Sequence, residues 1–144
     1  MPALVPELTV SDLARSLAFY VDLLDWAVVY DRPEEGFAYL RLGRAELMLD
    51  ALTLGRNFDA GLMLANRPFG RGMNLEITLG SIRPQLQALH GAGYPLVLAP
   101  EEKWYRQGAV ETGQRQFVVA DPDGYFLRFC EFLGQRPAGG ADAL

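Results

Sequence analysis

Apolar positions recur along the chain in two ways, at a spacing of two residues and at the spacing of a helix. In the first half, alternating stretches rich in Val, Leu, Phe and Tyr predict strands. These cover residues 4–10, 26–30, 37–42 and 46–52. Ser11 and Asp12 favour a helix start after the first strand, since Ser11 can cap and Asp12 suits the positive end of the helix dipole. The buried stripe of that helix is Leu13, Leu17, Tyr20 and Leu24.

The same pattern begins again in the second half. A strand over 74–79 is followed by Gly80-Ser81, which open a second helix that tolerates Pro84 in its first turn. Its apolar stripe is Ile82, Leu86 and Leu89, and Gly91-Ala92-Gly93 end it. Three further strands are predicted over 95–99, 114–120 and 125–132, with an irregular charged loop at 103–111. Asp121-Pro122-Asp123-Gly124 form the turn between the last two strands.

This repetition predicts an α+β fold of two tandem βαβββ modules with curved mixed sheets around a groove. Module one is placed at 1–56, the linker at 57–72, module two at 73–133 and a frayed tail at 134–144, all within a single domain. The linker holds apolar residues that we expect to pack against the modules. They are Phe58, Leu62 and Phe69.

Each outer strand of a module is predicted to have one apolar face that a helix covers. Those faces carry Leu4, Leu8 and Val10; Leu47 and Leu49; Leu75, Ile77 and Leu79; and Leu127 and Phe129. The opposite faces carry Val5, Glu7 and Thr9; Glu46, Met48 and Asp50; Asn74, Glu76 and Thr78; and Phe126, Arg128 and Cys130. These faces are polar enough to predict a wet, acidic groove, although ordinary solvent-exposed strand faces have the same pattern.

Aromatic residues are the candidate binding surfaces of that groove. Phe37 and Tyr39 lie on a predicted strand, and Trp104-Tyr105 lie in the irregular charged loop, where an adjacent aromatic pair favours a binding platform. Packing within the core or at its rim remains the alternative for each of them.

Composition excludes some functions. The chain has 144 residues, half of them hydrophobic, and a net charge of −5 without a basic stripe, so it is not predicted to bind nucleic acid. No apolar run approaches the roughly 20 residues of a membrane helix, and the N-terminus lacks a secretion signal, which predicts a cytoplasmic protein. The single cysteine, Cys130, excludes an internal disulfide and a cysteine-cluster metal site.

Two segments together resemble the vicinal oxygen chelate superfamily, which includes glyoxalase I, extradiol dioxygenases, fosfomycin-modifying enzymes and bleomycin resistance proteins. The first is Leu8-Thr9-Val10-Ser11-Asp12-Leu13 with Ser16-Leu17-Ala18-Phe19-Tyr20. The second is Asp121-Pro122-Asp123-Gly124 followed by Tyr125-Phe126-Leu127-Arg128-Phe129. The resemblance spans nearly the whole chain and implies the fold more specifically than the function.

The resemblance also implies where a metal would be held. The ligand positions of the metalloenzymes fall here on Val5, Met48, Asn74 and Arg128, which are poor donors for a divalent ion. The one histidine, His90, is expected to be exposed near the end of the second helix. A displaced site would bring in Glu7 and Glu76, but strand alternation argues against it. No cofactor is therefore predicted.

The remaining match is to the bleomycin resistance branch, which implies a homodimer that sequesters a cationic, partly planar glycopeptide without a metal. Aromatic faces and carboxylates suit such a ligand. The predicted ligand-binding residues are Phe37, Tyr39, Glu46, Asp50, Glu76, Trp104, Tyr105 and Arg128, and Glu7 adds to the negative field. Glu76 or Glu7 is expected to neutralise Arg128. The alternatives are a metal-dependent lyase, isomerase or dioxygenase with a displaced metal, and a module that binds an unrelated aromatic metabolite.

Overall fold

The computed structural model describes residues 2–55 and 67–139, which form two four-stranded sheets. Module one contains β1 (Glu7–Val10), α1 (Leu13–Leu17) with a π-helical continuation (Ala18–Leu23), β2 (Ala27–Arg32), a 3-10 turn (Pro33–Glu35), β3 (Phe37–Leu42) and β4 (Ala45–Ala51). Module two contains β5 (Asn74–Leu79), α2 (Arg83–Gly91), β6 (Leu98–Gln107), β7 (Val110–Ala120) and β8 (Phe126–Pro137).

Both sheets have the same mixed topology. The strand order is β1-β4-β3-β2 in sheet one and β5-β8-β7-β6 in sheet two. In each sheet the first and last strands of the module pair in parallel, and the other pairs are antiparallel. The predicted α+β fold of two βαβββ modules is confirmed. β1 is an edge strand of sheet one and begins only at Glu7, after Pro6, whose backbone cannot donate to a ladder.

Strand alternation places the core largely as predicted, but the placement of Leu4 on the covered face was wrong, because Leu4 lies before β1 and is 86% exposed. Leu8, Val10, Leu47 and Leu49 are at most 2% exposed on sheet one, and Ile77, Leu127 and Phe129 at most 3% on sheet two. They belong to one buried cluster that also includes residues of both helical segments. The aromatic members pack closely, as when Phe117 stacks on Phe129 at 5.3 Å between ring centroids. Both modules therefore share one apolar interior.

The turn between β7 and β8 joins the two modules. Buried Asp121 accepts hydrogen bonds from the Tyr20 hydroxyl at 2.8 Å and from the Tyr125 backbone N–H at 2.9 Å. Buried Asp123 accepts from both the backbone N–H (3.0 Å) and the hydroxyl (2.6 Å) of Ser11. Ser11 is thus engaged with module two, and Asp12 is the residue that caps α1, through the Arg15 N–H at 3.1 Å. The expectation that Ser11 caps this helix was wrong.

The predicted loop at 103–111 was wrong as well. β6 and β7 form one long hairpin through this region, with Trp104 opposite Gly113 and Gln107 opposite Val110. The predicted tail also begins too early, because β8 pairs with β7 as far as Pro137. This outer part of sheet two extends beyond β5, which pairs with β8 only as far as Glu131, and its charged sequence resembles a loop.

Two other sequence predictions fall partly on the linker. Phe58, Leu62 and the boundary at residue 56 lie outside the described residues, whereas Phe69 is 4% exposed and its ring lies 6.1 Å from that of Tyr125. The expected packing is confirmed for Phe69. In the described part of the chain, no helix has the length and apolar character needed to cross a membrane.

Candidate functional site

The open face of sheet one contains a cleft of about 540 Å³ where acidic and aromatic side chains meet. Strand pairing sets Asp50 beside both Thr9 and Phe37, and Arg32 beside Phe37, so that carboxylate, ring and guanidinium lie in one row across the sheet. We call this the acidic–aromatic cleft. Its lining is Glu7, Arg32, Glu35, Phe37, Asp50, Leu54 and Gly55.

Aromatic rings form a continuous surface beside this cleft. Tyr30 stacks on Tyr39 at 5.0 Å between ring centroids and lies 5.9 Å from Phe37. The guanidinium carbon of Arg32 lies 4.2 Å from the centroid of Phe37, which is cation–π geometry. Phe37 and Tyr39 are only 5% and 3% exposed. The predicted aromatic surface is therefore drier than a wet groove, and other side chains cover much of it.

Charges in the cleft influence one another. Burial, followed by the neighbouring carboxylate of Asp50, raises the pKa of Glu7, whereas the guanidinium of Arg32 lowers it. Arg32 Nε also donates to Glu35 Oε1 at 3.0 Å. The cleft thus places three carboxylates around one cation of the protein itself, which favours a positively charged occupant.

The open face of sheet two has a different chemistry, a hydrogen-bonded network centred on Gln116. This side chain is 2% exposed, and its amide donates to Glu101 at 2.8 Å and to the Tyr105 hydroxyl at 2.7 Å. Its carbonyl oxygen accepts from Gln114 at 2.7 Å and from Arg128 at 3.2 Å. All the polar positions of Gln116 are used, so the network is fixed rather than adaptable.

Arg128 is held on three sides by this network. It contacts Glu76 at 3.2 Å, Asn74 at 3.2 Å and Gln116. The expected neutralisation of Arg128 by Glu76 is therefore present. Next to it, Cys130 is 1% exposed, and burial raises the pKa of its thiol to about 12. Cys130 is therefore a small buried residue of β8, and its thiol is not a reactive nucleophile.

The structure divides the predicted ligand-binding residues among several places. Phe37 and Asp50 line the acidic–aromatic cleft, and the Tyr39 hydroxyl beside it donates to Glu46 at 2.7 Å. Glu46 and Glu76 share a smaller cleft of about 290 Å³ near the start of β5. Tyr105 and Arg128 belong to the Gln116 network.

Trp104 lies apart from all of these. As strand neighbours, Trp104 and Tyr105 point to opposite faces of sheet two, so the predicted aromatic platform does not exist. The Trp104 ring covers Gly113, where an added Cβ would lie 2.6 Å from it, and Arg136 stacks on the ring at 4.1 Å. This corrects the assignment of Trp104 to the groove.

The residues at the family's metal positions do not fit a divalent metal. Val5 has no donor, Met48 offers only a thioether, and the Asn74 carbonyl oxygen already accepts from Arg128, itself a cation. His90 is exposed on α2, as expected. Across residues 2–55 and 67–139, no three His, Cys, Asp or Glu side chains come close enough to hold a metal ion.

Sequence reasoning missed Arg32 and Gln116. Arg32 stands at the end of β2 beside Pro33, where the sequence suggests only a turn, and its role depends on cross-strand pairing with Phe37. Gln116 was hidden because a polar residue on a strand normally predicts solvent exposure. The alternation of Gln114, Gln116 and Val118 against buried Phe117 and Val119 was the available signal.

A further cleft of about 580 Å³ lies on the helix side of the molecule, away from both open faces of the sheets. Its lining is mostly apolar and includes Ala18, Phe19, Leu23, Tyr94, Pro95 and Leu96. It contains none of the predicted site residues.

Solved structures with similar folds come from several bacteria. The virulence protein STM3117 from Salmonella typhimurium is 20% identical, with 92% of this chain and 99% of that chain covered and a TM-score of 0.64. TioX from Micromonospora sp. ML1 is 19% identical, covering 92% and 100%, with the same TM-score of 0.64. A glyoxalase/bleomycin resistance protein/dioxygenase superfamily member from Vibrio splendidus 12B01 is 35% identical, covering 90% and 97%, with a TM-score of 0.40.

Comparison with curated proteins finds no match. The family model of the glyoxalase/bleomycin resistance protein/dioxygenase superfamily matches residues 4–129, which include both modules. This superfamily contains both enzymes and non-enzymatic binding proteins. The match agrees with the paired βαβββ topology, and the chain belongs to the glyoxalase/bleomycin resistance protein/dioxygenase superfamily.

Proposed function

We propose that this chain is a metal-independent small-molecule binding protein that sequesters a cationic, partly planar compound of the bleomycin type. The observation that carries the proposal is the acidic–aromatic cleft, where a guanidinium lies 4.2 Å from the centroid of a nearly buried phenyl ring, among carboxylates. A ligand with a planar cationic group would use the same ring and the same field. Nothing in the cleft suggests bond cleavage, and capture alone would keep such a drug from its target.

Isothermal titration of the chelator-treated protein with metal-free bleomycin tests this function. We expect saturation at about one drug per subunit, with a Kd in the micromolar range or below, and recovery of unchanged drug after denaturation. F37L should weaken binding about tenfold because it removes the π face. F132L is the matched control, since Phe132 is 60% exposed on sheet two. A chemically altered drug, or no heat of binding up to millimolar drug, would contradict the proposal.

The proposal includes a cytoplasmic homodimer. β2 is an edge strand, and it exposes Val28, Val29 and Tyr30 at 41%, 42% and 46%, an apolar strip that a second copy could cover. Sedimentation equilibrium should then give twice the chain mass for the wild type, and V29K should reduce the association. A monomeric wild type at tens of micromolar would remove the dimer from the proposal.

A further inference from the structure

Arg32 occupies the aromatic centre of the acidic–aromatic cleft in the protein itself. Its guanidinium carbon lies 4.2 Å from the centroid of Phe37 and 5.9 Å from that of Tyr30. Its Nε donates to Glu35 Oε1 at 3.0 Å, and Glu35 lies two residues before β3 begins at Phe37. Arg32 therefore already makes the contacts that a planar cationic ligand would make.

The contact between the Arg32 guanidinium and the Phe37 ring is reversible. The Arg32 side chain is 43% exposed and its Glu35 partner 57% exposed, so the ion pair is open to solvent and is weakly held. Phe37, in contrast, is 5% exposed and belongs to a central strand of sheet one. The ring is thus a fixed surface, whereas the guanidinium that covers it is carried on a long side chain at the end of an edge strand.

We infer that Arg32 is an internal plug of the cleft, which a ligand must displace from Phe37 before it can bind. The inference rests on the proposed function and adds the chemical class of the ligand. A displacing group has to replace a planar, delocalised cation lying flat on the ring, so the ligand carries an amidinium, a guanidinium or a cationic heteroaromatic ring. A compact alkylammonium would recover the charge interaction but less of the stacking.

The expected effect follows from the population of the open cleft. If Arg32 covers the ring in about nine molecules of ten, the apparent affinity of a competing cation falls about tenfold. Removing the Arg32 side chain should therefore increase the apparent affinity of ligands that stack on Phe37 by about the same tenfold. Neutral ligands gain access to the ring as well, but lack the attraction of the surrounding carboxylates.

The test is a fluorescence titration with 4′,6-diamidino-2-phenylindole, a planar probe with two amidinium groups. R32Q should bind it about tenfold more tightly than the wild type does. R41Q is the matched electrostatic control, because Arg41 lies on the same sheet face in β3 and loses the same charge without touching Phe37. Benzamidine should compete with the probe more strongly than benzylamine does. F37L should weaken binding of the probe both to the wild type and to R32Q.

The outcomes separate this inference from the proposed function. If the wild type binds the probe, and R32Q increases the affinity no more than R41Q does, the plug is overturned and the cleft remains a cation-binding site. Binding that is insensitive to F37L places the probe elsewhere and also overturns the plug. Absence of binding to every variant removes the cleft as a cation site, and the proposed function with it. An independent readout is the Nε–Hε NMR signal of Arg32, which should lose its ring-current shift when the probe saturates the protein.

Discussion

Replacing Asp121 by alanine should destabilise the whole fold, because this carboxylate joins the two modules. One of its oxygens accepts from the backbone N–H groups of Asp123 and Tyr125, both at 2.9 Å, and the other from the Tyr20 hydroxyl at 2.8 Å. The Asp121 side chain is almost completely buried, and Tyr20 is 0% exposed. Truncation to alanine therefore leaves three donors without their acceptor in a region that water does not readily enter.

The size of the effect follows from those three donors. Each buried donor that loses its partner costs about 1–3 kcal/mol, so D121A should lower the free energy of unfolding by roughly 3–9 kcal/mol. This is a large part of the roughly 5–15 kcal/mol that stabilises an ordinary domain. D121N retains an oxygen for the two backbone donors and should cost only about 1 kcal/mol.

Urea unfolding followed by Trp26 fluorescence measures this directly, because Trp26 is 2% exposed and its ring lies 5.8 Å from that of Tyr20. Y20F removes one of the orphaned donors, so the double variant Y20F/D121A should be less destabilised than the sum of the single variants, by about 1–2 kcal/mol. If D121A unfolds within about 1 kcal/mol of the wild type, or the two effects are additive, the buried turn is not the junction that the geometry indicates.

Three further outcomes are expected. Cys130, whose thiol has a pKa raised by burial to about 12 and is 1% exposed, should react with iodoacetamide at neutral pH only on unfolding; rapid labelling of the native protein would show that sheet two opens locally. G113A should cost about 1–3 kcal/mol in urea unfolding because its Cβ would meet the Trp104 ring at 2.6 Å, and an unchanged midpoint would mean that the ring moves freely. Burial and then Asp50 raise the pKa of Glu7, so its negative charge is lost at a higher pH than for an ordinary glutamate. Binding of a cationic ligand should therefore weaken as the pH falls through that raised value, and E7Q should remove this dependence; an identical pH profile in E7Q would exclude Glu7 from the site.

Local pattern determined much of the architecture. A period of two residues is enough to bury Leu47 and Leu49 and to turn Glu46 and Met48 to the other face, and this follows from strand geometry alone. The same reasoning, repeated in both halves, predicted the tandem modules. The chemical identities at the family's metal positions also needed no coordinates, because valine, methionine and arginine are poor ligands wherever they lie.

Only the tertiary structure decided which candidate residues meet. Trp104 and Tyr105 are neighbours in sequence, yet a hairpin directs them to opposite faces, and charged residues such as Glu102 and Lys103 hide that hairpin from a periodicity argument. Arg32 reaches Phe37 only through antiparallel pairing across a bulged strand, and Asp121 accepts from a tyrosine, Tyr20, that lies 101 residues earlier in the chain. Local propensity depends on a residue and its near neighbours, whereas these contacts join residues brought together by sheet register and helix packing. The sequence by itself therefore determined the elements and their faces, and the packing between them decided the site.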